Sequence, residues 1–293
     1  MKQQFPKLNR RFPRRRAFIT GAGSGLGLAF ARALAGDGWS LGLFDRDLER
    51  LAAVEADLSA SGIRVLAYPG DVTQPDELTV AVNSFAAAND GLDVMINNAG
   101  VAGGGGLMEV SPEDLRSILD INFMGVVHGA RAAIPHLQRN GTGLLLNVAS
   151  AAAFTSTPGM VSYNASKAAV LSLSETLAGE LRPAGTQVSV AMPACFESNL
   201  LETSRGLAAI REQVAQRMAG PEWDAPGLAR EVLRRAGAGR TYIVLPACAR
   251  LMWLLKRWMP RLFLTHICSP RKYASGVGAD ALQGASTDSR NLV

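Results

Sequence analysis

Histidine and cysteine are scarce: the 293 residues hold three of each. Cys195, Cys248 and Cys268 have no metal-ligand spacing, and neither do His128, His136 and His266, which argues against a Cys/His metal centre. Each cysteine reads as a packing residue, and His128 and His136 read as ordinary helix residues. The odd cysteine count, with no secretory leader, favours a reducing, cytoplasmic setting. Charges interrupt every apolar run well short of about 20 residues, so no segment reads as a membrane span. Acid is missing from both ends. Residues 1–16 hold seven basic residues and no acid, and residues 246–279 hold six and no acid. With residues 280–293 at −1 and the whole chain at +5, residues 17–245 carry −7. The pI of 9.4 therefore describes the ends of the chain. No nucleic-acid motif accompanies it, so a nucleic-acid partner is not expected. No internal repeat is visible.

Apolar residue is plentiful. At 48% hydrophobic, the chain can bury one sizeable core and reads as a single domain. Strand-like runs fall at Ala17–Thr20, Ser40–Phe44, Arg64–Tyr68, Leu92–Ile96, Gly143–Val148, Gln187–Met192 and Thr241–Leu245. Helical segments separate them. That alternation predicts a parallel sheet with helices on both faces.

Two motifs carry chemistry. The first follows the Ala17–Thr20 strand: Gly21-Ala22-Gly23-Ser24-Gly25-Leu26-Gly27, then a helical run from Leu28 to Leu34. Glycines let the backbone turn tightly and approach a pyrophosphate, and the helix N-terminus adds N–H donors and positive dipole. The second is Tyr163 and Lys167, four residues apart, with Ser150 thirteen residues before the tyrosine. On a helix, i and i+4 share a face, so phenol and ammonium can enter one cleft. A neighbouring cation favours the ionised phenol, which suits proton exchange with a carbinol or carbonyl oxygen.

Together these residues resemble the short-chain dehydrogenase/reductase family, over roughly residues 17–246. Thr20, Gly21, Gly25 and Gly27 match its T-G-x-x-x-G-x-G. Asn97-Asn98-Ala99-Gly100 matches its N-N-A-G. Asn122, Ser150, Tyr163 and Lys167 match its catalytic tetrad, and Pro193-Ala194 stands where Pro-Gly is usual. The resemblance implies one Rossmann-type doubly wound parallel sheet. A basic arm (1–16) would precede it. An apolar and basic extension (247–273) and a polar, disordered tail (274–293) would follow.

The cofactor implied is a nicotinamide dinucleotide. Asp45 ends the second strand about twenty residues past the glycine turn. There a carboxylate accepts bonds from the adenosine ribose and repels a 2′-phosphate, so NAD is expected. NADP is the alternative, and the adjacent Arg46 favours it. The resemblance assigns Asp71 and Val72 to adenine. Asn97 would brace the central strands, while Ala99 and Gly100 beside Asn98 leave room for ribose. It makes Tyr163 the acid/base and Lys167 its partner and ribose contact. Ser150 would hold the substrate oxygen, and the Asn122 carbonyl a water. Pro193 would turn the chain beneath the nicotinamide, with Ala194, the Phe196 backbone and the Ser198 hydroxyl near the carboxamide.

The substrate side reads as apolar. The segment Ala151–Thr155, the loop from Cys195 and a helical lid over 199–226 offer Phe154, Met160, Phe196, Leu200, Leu201 and Leu207. No arginine or lysine stands at an obvious substrate-facing place, although Arg205 in the lid could. An apolar secondary alcohol or ketone is expected. The alternatives are an NADP-linked ketone or 3-oxoacyl reductase, and a dinucleotide-binding sensor or scaffold without turnover. Ala165, Ala168, Ala169 and Leu173 give the Tyr163 helix a small apolar surface suited to a homodimer or homotetramer. The stretch Arg250–Arg261 places Arg250, Arg257 and Arg261 on one side and carries two tryptophans. It suits either packing on protein or peripheral membrane contact. The arm is expected to be mobile, with Phe5 and Phe12 as weak anchors.

Overall fold

Strands that are apolar on both faces need a helical layer on each side, and this chain supplies both. The computed structural model describes residues 3–139, 141–194 and 224–267. The first half runs α1 (Pro6–Arg11), β1 (Arg16–Thr20), α2 (Gly25–Ala35), β2 (Ser40–Asp45), α3 (Leu48–Ser59) and β3 (Val65–Pro69). Then come α4 (Pro75–Ala88), β4 (Val94–Asn97), α5 (Pro112–Leu119), a π turn (Asp120–Met124), α6 (Gly125–Arg139) and β5 (Gly143–Val148). The rest is α7 (Ala152–Thr155), α8 (Val161–Leu181), β6 (Thr186–Pro193), α9 (Ala225–Gly237), β7 (Tyr242–Leu245) and α10 (Ala247–Trp258). Each expected strand is present, within two residues at either end.

All seven strands are parallel, in the order β3-β2-β1-β4-β5-β6-β7. Strand order reverses between β1 and β4, and ligands of such sheets bind beyond the carboxyl ends at that switch point. One face packs Phe30 and Leu34 of α2 and Val232 of α9 on Leu41, Ile96 and Leu144. The other packs Phe85 of α4, Leu137 of α6 and Leu177 of α8 on Phe18, Met95 and Leu145. At the opposite end of the strands, Arg16 grips Asp93 through two side-chain bonds of 2.8 and 3.0 Å, with both side chains buried. The Arg16 amide also donates to Asp93, so the pair ties β1 to the start of β4.

The N-terminal segment is not a mobile arm. Phe5, Leu8 and Phe12 recur at helical spacing and are buried at 3%, 0% and 1% exposure. Asp37 accepts from the amides of Gln4 and Phe5 and from Asn9 Nδ2, which satisfies donors at the start of α1. Asn9 in turn accepts from the Trp39 indole at 2.9 Å. A β-carbon on Gly237 would come within 2.9 Å of Leu8, so α1 and α9 touch almost backbone to backbone. Cys248 also departs from expectation: it is exposed. Cys195, Cys268, most of the expected lid and the tail lie outside the described residues.

Replacing Leu8 with alanine should cost about 2–5 kcal/mol of unfolding free energy in urea, because it opens a cavity in the main core. A loss below about 0.5 kcal/mol would mean that the segment is unpacked after all.

Candidate active site

The glycine loop joins β1 to α2 at the switch point. Gly21 and Gly25 have φ of +65° and +52°, a region that side chains rarely adopt. Gly27 is needed for a different reason: a β-carbon there would lie 1.9 Å from the Gly21 carbonyl oxygen. Ser24 is the N-cap of α2, yet its hydroxyl makes no capping bond and the first turn carries no acid. The first-turn amides, at Gly25, Leu26 and Gly27, and the positive end of the dipole are therefore suited to an anionic ligand. This cradle fits a dinucleotide pyrophosphate.

Asp45 stands against the loop. One carboxylate oxygen accepts from the Gly23 amide at 2.8 Å and the other from Asp47 at 3.0 Å. Arg46 beside it is exposed. Past β3, Asp71 accepts from the Thr73 amide at 2.9 Å. Val72 is buried over Gly125, and its carbonyl oxygen lies 2.9 Å from His128 Nδ1.

The end of β4 is tied to the same loop. Thr20 Oγ1 accepts from the amides of Asn98 and Ala99 at 3.0 and 3.1 Å. Asn98 Nδ2 donates to the carbonyls of Thr20 and Gly21. Asn97 points elsewhere. It donates to Asn147 Oδ1 at 2.9 Å, and Asn147 donates to Ser174 at 3.0 Å, which links β4, β5 and α8. Three residues past Asn97, the open side of Gly100 faces Asn122 and Lys167. A β-carbon there would lie 3.0 Å from Asn122 Oδ1 and 3.4 Å from Lys167 Nζ.

Asn122 lies in the π turn and is fully buried. Such wide turns recur at functional sites. Its side chain accepts from the Val101 amide at 2.8 Å and donates to the Val101 carbonyl and to Ser166 Oγ. Ser166 then donates to the Tyr163 carbonyl at 2.8 Å. Sequence reasoning missed Ser166. Its only signal was position: three residues after Tyr163, on the same helical face.

Tyr163 and Lys167 are both buried on α8, with the ammonium 5.8 Å from the tyrosine ring centre. Lys167 also donates to the Val148 carbonyl at 3.0 Å. Ser150 follows two residues later, and its hydroxyl accepts from the Ala152 amide at 3.1 Å as α7 begins. The structure therefore gathers Asn122, Tyr163 and Lys167 around one face of α8, with Ser150 just past the end of β5. Among the described residues no His/Cys/Asp/Glu cluster could hold a metal ion.

Three expectations need correction or fall away. Pro193 does not turn the chain: it stays in β6, its carbonyl accepts from Ala151, and the Ala194 amide donates on to Leu245. Phe154 does not line a substrate pocket. It is buried with Val126, Met192 and Ala249 in a third hydrophobic cluster, because α10 folds over α7. Phe196, Ser198, Leu200, Leu201, Arg205 and Leu207 lie outside the described residues.

Burial pulls the Lys167 ammonium from its usual 10.5 down to about 8. Below that pH the folded and unfolded chains both carry the charge, and the folded chain bears the cost of desolvating it. Between about 8 and 10.5 only the folded chain has released the proton, so stability rises with pH across that window. From about pH 7 to about pH 10 the unfolding free energy should gain about 2–3 kcal/mol relative to Lys167→Met. Parallel pH profiles for the two proteins would contradict a desolvated ammonium.

The sequence profile of the short chain dehydrogenase family matches residues 15–206. The 1-deoxy-11-beta-hydroxypentalenate dehydrogenase of Streptomyces exfoliatus is 35% identical over 220 residues, 73% of this chain and 80% of that protein. A short chain dehydrogenase/reductase from Burkholderia phymatum, solved with NAD, superposes with a TM-score of 0.80 at 30% identity. That match covers 85% of this chain and 94% of that one. One from Sphingobium yanoikuyae, solved with NADPH, gives 0.71 at 28% identity, over 86% and 95% of the two chains. Glycine cradle, parallel sheet and buried Tyr163–Lys167 pair coincide with this kinship, and the chain belongs to the short-chain dehydrogenase/reductase family of oxidoreductases.

Proposed function

We propose that the enzyme transfers hydride between NAD(H) and an apolar secondary alcohol or its ketone. One observation carries the reading: the segment 98–101 holds the cofactor loop with one end and the proton-handling residues with the other. Asn98 bonds the Thr20 and Gly21 carbonyls, and Val101 bonds Asn122 in both directions. Between them, Gly100 leaves open space beside Lys167.

When bound, the nicotinamide supplies the hydride donor or acceptor. The chain does the rest. The amides of α2 and of the loop hold the pyrophosphate, and Asp71 and Val72 flank the adenine. Asp45 accepts from the ribose hydroxyls and disfavours a 2′-phosphate. Tyr163 takes the proton from the carbinol, or returns it to the carbonyl oxygen. Ser150 donates a hydrogen bond to that oxygen as charge develops on it. Lys167 sets a positive charge beside the phenol. Asn122, through Ser166, fixes the backbone of the helix that carries both.

An apolar substrate is supported by residues 151–160, which follow Ser150 and carry no charge. Met160, half-buried at the start of α8, belongs to the same stretch. Assembly is proposed on the outer face of α8, where Ala165 and Ala168 are exposed and small enough for a second copy to approach closely. The exposed Arg46 favours NADP.

The test is absorbance of reduced nicotinamide across apolar secondary alcohols and ketones, with NAD and NADP pairs. Tyr163→Phe should lower kcat about 10²–10⁴-fold while cofactor still binds. Asp45→Ala should weaken NAD binding and narrow the preference over NADP. Unchanged turnover in Tyr163→Phe, or unchanged NAD binding in Asp45→Ala, would remove the corresponding assignment.

A further inference from the structure

Helix α10 is apolar on two sides. Its inner side is accounted for: Ala249 is buried, and Met252 and Trp253 pack on the third hydrophobic cluster. Trp253 also stacks on Tyr242 at 5.1 Å, and Lys256 donates to Ser156 at 3.2 Å. These contacts fix the rotation of the helix. The outer side is not accounted for. Leu251, Leu254 and Trp258 are 68%, 39% and 82% exposed. At about 100° per residue they form one stripe roughly 60° wide. Met259 and, past Pro260, Leu262 and Leu264 add exposed apolar surface, whereas Phe263 is buried. Of the eleven large hydrophobic side chains exposed among the described residues, six lie in 251–264.

The charge along this segment of the chain has one sign. Arg250, Arg257 and Arg261 are exposed, and residues 246–279 contain no acid. We infer that this face docks on an anionic lipid bilayer. Apolar side chains and an exposed tryptophan, flanked by cations, match the boundary between acyl chains and anionic headgroups. A two-fold contact between copies fits less well, because it would bring the same arginines toward one another, while Glu175, the acid beside them, is already taken up by the Tyr242 hydroxyl at 2.7 Å. No helix among the described residues is long and apolar enough to cross a membrane, so the contact lies along the surface. Helix α10 packs on α7, which begins two residues after Ser150. Docking therefore leaves only α10 between the lipid and the segment that follows Ser150. Entry of an apolar substrate from the bilayer rests on the function proposed above; the docking itself does not.

The test is flotation of the full chain with phosphatidylcholine vesicles, alone and with about 30% phosphatidylglycerol. The chain should float with the anionic vesicles and be released by added salt. Leu254→Glu/Trp258→Glu and Arg250→Gln/Arg257→Gln should each weaken the partitioning at least about tenfold. Both pairs lie on the surface, and unchanged circular dichroism and NADH binding would show that they fold. Turnover is not needed for the readout, so a wrong substrate assignment cannot mask the result. Absence of flotation, or equal flotation of the variants, would overturn the inference. So would loss of a dimer in the Leu254→Glu/Trp258→Glu variant without any lipid binding, which would assign the face to a second copy.

Discussion

The hydroxyl of Thr20 accepts from two consecutive amides, those of Asn98 and Ala99, and so joins the end of β1 to the end of β4. These strands are neighbours in the sheet but 74 residues apart from Thr20 to Val94, so the chain must complete three crossovers before the bond can form. The site on either side depends on that joint. Toward the N-terminus it sets the glycine loop, whose path over α2 leaves no room for a methyl group at Gly27. Toward the C-terminus it aims residues 99–101 at Asn122 and Lys167. The glycine cradle on one side and the Asn122–Lys167 face on the other are thereby tied to one side chain.

Burial gives Lys167 its character. Its ammonium is buried and donates to the Val148 carbonyl, and its charge is costly to hold there. Asn122 spends its side chain on Val101 and Ser166, which locks the π turn against α8. The Asn97–Asn147–Ser174 chain stiffens the central strands beneath in the same way.

Much of this was legible in the residues because the governing rules are local. Continuous apolar runs marked the seven strands, the glycine spacing marked the loop, and helical periodicity put Tyr163 and Lys167 on one face. What escaped depended on distant partners. Seven cationic residues disguised the short amphipathic pattern of Phe5, Leu8 and Phe12, and its anchor, Asp37, lies some thirty residues on. Phe154 looked like a pocket residue until α10, about a hundred positions later, covered it. Ser166 had no motif of its own, and only the buried amide of Asn122 reveals what it does. Pro193 suggested a turn, yet it is the last residue of β6, an inner strand between β5 and β7, and stays in register with Leu245.

The central claim is direct hydride transfer to the nicotinamide at this site. The most direct test uses an apolar secondary alcohol deuterated at the carbinol carbon, with NAD, and follows the label by nuclear magnetic resonance. The account predicts deuterium at C4 of the reduced cofactor, with a primary isotope effect when chemistry limits the rate. Bound cofactor that stays oxidised with every alcohol tried, or reduction with the label lost to water, would contradict it.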